Sequence, residues 1–77
     1  MAVGFVLVRC RPGTERGVFQ GLMGVDGMVE VFPLFGEYDF IVKMEAADFD
    51  ALGARIVEGI RSIPGVESTE TLTATAL

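Results

Sequence analysis

Seventy-seven residues with a mass of 8.3 kDa make one domain, 1–77, although 51% of the chain is hydrophobic and the mean hydropathy is +0.50; a monomer of this size buries only about 60–65% of its unfolded surface. A net charge of −5 with six scattered Lys and Arg leaves no basic stripe to follow phosphates, which excludes direct nucleic-acid binding by this chain. The sequence contains no histidine, which excludes Ser–His, Cys–His and imidazole acid–base chemistry and the usual zinc and haem ligand sets, so no metal or cofactor is expected.

Val3 to Cys10 is apolar at both alternating parities and rich in β-branched residues, the pattern of a central strand. Pro12-Gly13 punctuates the chain. Thr14 then stands as an N-cap, with Glu15 well placed against the dipole of a helix running to Met23. Val18, Phe19, Leu22 and Met23 recur at helical spacing, while Gly17, Gly21 and Gly24 on one face predict a loose helix packed closely on a neighbour. Asp26-Gly27 marks a turn, and Met28 to Phe35 a second strand, in which Pro33 calls for an edge position or a bulge. A polar connection, Gly36 to Asp39, leads into a third strand, Phe40 to Glu45. Asp48 caps a second helix whose apolar stripe is Phe49, Leu52, Ile56, Val57, Ile60 and Ile63. After Pro64-Gly65, Val66 to Ala76 alternates threonines with apolar residues as a last strand.

The order βαββαβ, with Val25-Asp26-Gly27-Met28 echoed by Ile63-Pro64-Gly65-Val66, predicts an α+β, ferredoxin-like fold. Four antiparallel strands are covered on one face by two helices. Two helices cover only one side of the sheet, and whichever parity of the strands faces inward, a contiguous apolar patch is left on the other. Exposure of such a patch is costly at about 25 cal/mol per Å². With Cys10 unable to form an internal disulfide, the expected remedy is sheet-to-sheet dimerisation, as in dimeric α/β barrels, extended to a higher ring. Phe5 to Val8 is the longest apolar run, far below the ~20 residues of a membrane-spanning helix. The start Met-Ala-Val-Gly-Phe lacks the basic region of a signal peptide, so a cytoplasmic location is expected.

Gly36-Glu37-Tyr38-Asp39 is the one compact cluster of functional side chains. Its glycine can leave an amide open to a ligand, its acids can take an ammonium group, and its tyrosine offers a flat face with a hydroxyl. The same four residues also make an ordinary hairpin connection in which Asp39 caps its own turn. The row Thr69, Thr71, Thr73 and Thr75 suits a strand in its own right, or supplies hydroxyls to a carboxylate or amine at a subunit boundary. Glu58, Glu67, Glu70, Arg55 and Arg61 read as solvated surface, and Cys10 as a small core residue.

A strand, Pro-Gly, a helix, Gly36-Glu37-Tyr38-Asp39-Phe40, and Pro64-Gly65-Val66 followed by Thr69-Glu70-Thr71 together resemble the C-terminal effector-binding (RAM) domain of the Lrp/AsnC family. The resemblance spans about Val3 to Ala76. It implies dimerisation through the sheets, assembly into an octamer- or decamer-like ring, and an amino acid or related effector held in clefts between subunits. Carried over by position, Gly36, Tyr38 and Asp39 line that cleft from the connection, and Thr69 and Thr71 from the last strand. Full-length members carry an N-terminal helix-turn-helix domain. This chain begins directly at the first strand and so looks like a stand-alone effector module without DNA binding. Sensing, buffering, and joining full-length regulators in mixed oligomers remain open as its use. Two other classes compete with a non-catalytic effector module. One is a small dimeric α/β-barrel enzyme of monooxygenase or isomerase type, which holds substrate between helices and sheet. The other is a purely structural assembly module.

Overall fold

Strict alternation of burial along the first strand sets the architecture. In the computed structural model, which describes residues 1–75, β1 (Ala2–Cys10) turns Ala2, Gly4, Val6, Val8 and Cys10 inward and leaves Val3, Phe5, Leu7 and Arg9 half-buried on the other side. The chain continues through α1 (Glu15–Met23), β2 (Met28–Pro33), β3 (Phe40–Ala46) and α2 (Phe49–Arg55). A π-helical turn, Ile56–Ile60, extends α2 before β4 (Val66–Thr73). The sheet order is β2-β3-β1-β4 with every neighbouring pair antiparallel, so β1 and β2 run parallel with β3 between them, and β3 and β4 with β1 between them. This is the split βαβ arrangement expected from the element order.

Both helices lie on the inward face. Val18 and Leu22 of α1, and Leu52, Ile56 and Ile60 of the second helix, meet Val6, Val8, Val42 and Met44 of the central strands in one core. Each such side chain contributes about 1.5–3 kcal/mol by leaving water. Phe19 stacks on Phe40 at the α1 end, with centroids 6.1 Å apart. Close approach is built in with glycine: a Cβ on Gly4 would stand 2.9 Å from Leu52, and one on Gly21 2.9 Å from Ile63. The expected close packing of the α1 glycines is therefore met at Gly21, whereas Gly17 faces open space.

Several details depart from the sequence-based expectations. Thr14 occupies the N-cap position of α1, but at φ −103°, ψ 2° it is not in the extended conformation of a capping residue. Its hydroxyl donates to the Arg11 carbonyl (2.6 Å) instead of capping the helix. Asp48 does cap, accepting from the Ala51 amide at 2.8 Å. β2 is an edge strand, as Pro33 required, yet its bulge lies at Val29, between Met28 and Glu30, and Pro33 itself pairs with Phe40. The strand ends there, leaving Leu34 and the fully exposed Phe35 in the connection. Along the second helix Phe49 and Val57 are exposed, because the inward stripe is only Leu52, Ile56 and Ile60. β4 stops at Thr73, so Thr75 lies beyond it; Ala76 lies outside the described residues.

Candidate functional site

The register fixes where each candidate residue stands. Val6 pairs with Thr71 and Val8 with Thr69, so both threonines share the inward, helix-bearing side of the sheet. Phe5 pairs with Leu72, Leu7 with Glu70 and Arg9 with Ser68 on the open side. Because β4 is an edge strand that the helices cover only partly, Thr69 is half-buried and Thr71 exposed.

The Gly36–Asp39 connection lies at the same level of the sheet as Thr69, but on the β3 side of β1. Asp39 extends the ladders on both sides of β3: its amide donates to the Val8 carbonyl of β1 (2.9 Å), and its carbonyl accepts from the amide of Leu34, just past β2 (2.8 Å). Its carboxylate oxygen Oδ2 accepts from the Cys10 amide at 2.8 Å. The Asp39 side chain thus replaces a backbone acceptor where the ladder ends. Tyr38 carries the Arg9 guanidinium over its ring, 5.2 Å from the centroid. Arg9 also pairs with the Glu37 carboxylate (3.2 Å) and donates from Nε to the Glu37 carbonyl (3.2 Å). This clasp fastens the connection to β1 on the open face. Gly36 adopts φ +154° with nothing within 4 Å of where a Cβ would stand.

Within one chain, therefore, the two groups do not meet. Thr69 stands two strands from Phe40 across Val8, roughly 10 Å at normal strand spacing, and on the other face from the Tyr38–Arg9 stack. Arg9 escaped the sequence reading because a lone arginine at the end of an apolar strand carries no local signal. The contact spans 28 residues.

Thr69 and Thr71 open instead onto a groove of about 500 Å³ between β4 and the second helix, walled also by Ile56, Val57, Arg61 and Glu67. Its volume is in the range of about 300–1,000 Å³ usual for small-molecule sites. Arg61 and Glu67, which read from sequence as solvated surface, are drawn to it by two irregularities of the backbone. The Arg61 amide donates to the Ile56 carbonyl at 3.0 Å, five residues back. The β1–β4 register slips between Arg9↔Ser68 and Cys10↔Val66, leaving Glu67 as the extra residue of a bulge.

The sheet order, the helices confined to one face and the groove at the β4 edge define the chain as a ferredoxin-like α+β domain with a small-molecule-sized polar groove beside its sheet. The chain belongs to the Lrp/AsnC ligand-binding domain family, whose model matches residues 3–76. It is 34% identical, in a 71-position alignment that covers 88% of its length, to an uncharacterized HTH-type transcriptional regulator, PF0250, of Pyrococcus furiosus, of which it spans 47%. The chain thus covers about half the length of such regulators. It is 45% identical over 70 residues, 90% of its length, to the homocitrate synthase of Sulfolobus acidocaldarius, of which it spans 15%. The structure of TTHA0845 from Thermus thermophilus superposes with a TM-score of 0.92 at 31% identity, covering 100% of this chain and 96% of that one.

Proposed function

We propose that the chain is an amino-acid-binding, self-associating regulatory module with no catalysis of its own. The observation that carries this is the hydroxyl-lined groove at Thr69 and Thr71, set at the edge of a sheet whose other face is open and carries Phe5, Leu7, Ile41, Phe32 and Leu72 among charged residues. Relatives of unlike chemistry support it. The same module recurs in transcriptional regulators and in a homocitrate synthase, so what it contributes is common to DNA-binding proteins and to an enzyme, and is best read as sensing a small molecule. The space between helices and sheet, where a barrel-type enzyme of this fold would hold substrate, is filled by Val6, Val8, Leu22, Val42, Met44 and Leu52.

The five candidate residues fit this function as two half-sites. Gly36, Tyr38 and Asp39 lie at one end of the sheet, and Thr69 and Thr71 on the helix side of β4, so a cleft that uses all five draws them from different copies. Pairing of open sheet faces gives the first copy. An octamer- or decamer-like ring, or a mixed oligomer with full-length regulators, gives the neighbouring one. Thermal-shift and calorimetric screening of the purified chain against the twenty standard L-amino acids tests the function. An effector at 100 times its dissociation constant adds about 2.7 kcal/mol of stability. No specific stabilisation by any amino acid would leave the chain as an assembly module only.

A further inference from the structure

The groove beside β4 brings together groups that the sequence scatters. Arg61 and Glu67 are six residues apart across Pro64-Gly65, and each reaches the groove through a backbone irregularity. A π-turn inserts one residue into the helix and so rotates everything after it by roughly 100° relative to an unbroken α-helix. That rotation applies to Arg61, which follows the Ile56–Ile60 turn. A β-bulge re-aims the side chain of its extra residue, here Glu67. Both devices are common at functional sites, and here the residues they place line one groove. Arg61 and Glu67 make no ion pair with each other or with any other described residue, the one such pair being Arg9–Glu37. A cation, an anion and two threonine hydroxyls therefore line the groove, with the charges unneutralised.

We propose that this groove holds the charged end of a zwitterionic α-amino acid: Arg61 takes the carboxylate through its planar fork, Glu67 takes the ammonium group, and the Thr69 and Thr71 hydroxyls bridge the two. The apolar walls from Ile56 and Val57 receive the first carbons of the ligand side chain. The assignment rests on the amino-acid reading above and goes beyond it by placing the recognition of the charged groups at Arg61 and Glu67, residues that the Lrp/AsnC resemblance did not single out. A guanidinium matches a carboxylate bidentately where an ammonium cannot, so Arg61 is the discriminating residue.

The test titrates the wild-type chain with the L-amino acids, then with the α-carboxamide and the N-acetyl derivative of the best binder. The same series is run on Arg61→Gln, Arg61→Lys and Glu67→Gln. Arg61→Gln is expected to weaken the free amino acid by about tenfold or more while leaving the already weak carboxamide unchanged. Glu67→Gln is expected to do the same for the free amine against the N-acetyl form. Arg61→Lys keeps a cation at the helix C-terminus, and with it any stabilisation of the helix dipole, so it should melt as wild type yet lose affinity. Unchanged amino-acid affinity in Arg61→Gln and Glu67→Gln, with binding intact in wild type, overturns this assignment and leaves the amino-acid function standing. Absence of binding to wild type overturns both.

Discussion

Asp39 shows how a residue that looks like a ligand can be taken up by the fold. Its carboxylate accepts from the Cys10 amide, so Asp39→Ala leaves a part-buried donor unpaired and should lower stability by about 1–2 kcal/mol. Asp39→Asn keeps an acceptor oxygen and should recover most of the loss in urea denaturation. If Asp39→Ala leaves the denaturation midpoint untouched but abolishes ligand response, Asp39 is a ligand residue and not a backbone anchor. Cys10 gives a pH test. Burial pushes its thiol up, the Thr14 hydroxyl acts in the opposite direction, and the Asp39 charge adds to the rise. Folding thus favours the neutral thiol. The stability this gives is fully present below the unfolded thiol's pKa, about 8.5, and is lost as pH rises from there through the higher folded value. Stability measured against pH should fall less steeply above that point in Cys10→Ala than in wild type. At this scale the sequence was only partly legible. The Cys10 core placement could be read from local pattern. Asp39, expected to cap its own turn, instead accepts from the Cys10 amide 29 residues away. Neither that bond nor the Arg9–Tyr38–Glu37 clasp could be read, since their partners come together only when β1 and β3 pair.

Elements were legible where a periodic pattern coincided with a strong local signal. Asp48 is followed by the expected Ala51 amide at the third helical position. Asp48→Ala should cost about 1 kcal/mol, measured by thermal or urea unfolding. Gly27 sits at φ +85°, with the Glu45 carbonyl and the Arg55 side chain against the place of a Cβ. Its carbonyl accepts from the Glu45 amide at 2.8 Å. Gly27→Ala should therefore destabilise by roughly 1–3 kcal/mol, visible as a lower melting temperature. What the pattern could not reveal were the breaks in regularity: the bulges at Val29 and Glu67 and the π-turn at Ile56–Ile60. Each inserts a residue without changing the hydrophobic period on either side. The π-turn keeps Ile56 and Ile60 buried and moves only the residues that follow, which is why Arg61 read as plain surface.

At the scale of the whole molecule, the inward parity of β1 leaves Val3, Phe5 and Leu7 on the open face. Leu7 lies in a row with Ile41 and Phe32, and Phe5 beside Leu72. Phe32 and Leu72 are each about half exposed, at 50% and 52%. Charges rim this surface: Glu70 stands opposite Leu7 on β4, Arg9 lies near the end of β1, Glu45 lies opposite Val3, and Glu30 and Lys43 pair in register between β2 and β3. Sequence alone found the patch, because both parities of β1 are apolar and one had to face outward. The parity that faces inward is the one that carries Gly4, whose bare backbone admits Leu52 of α2. Leu7→Glu puts a charge at the centre of the open face without touching the core, so it should separate copies while leaving the fold intact. The most direct measurement is sedimentation of the purified wild-type chain at micromolar concentration. A species at least twice the 8.3 kDa chain mass, reduced to one copy by Leu7→Glu, is the expected result. A wild-type chain that sediments as a single copy across the same range would contradict the pairing of sheet faces, and with it the clefts between copies in which an amino acid is proposed to lodge.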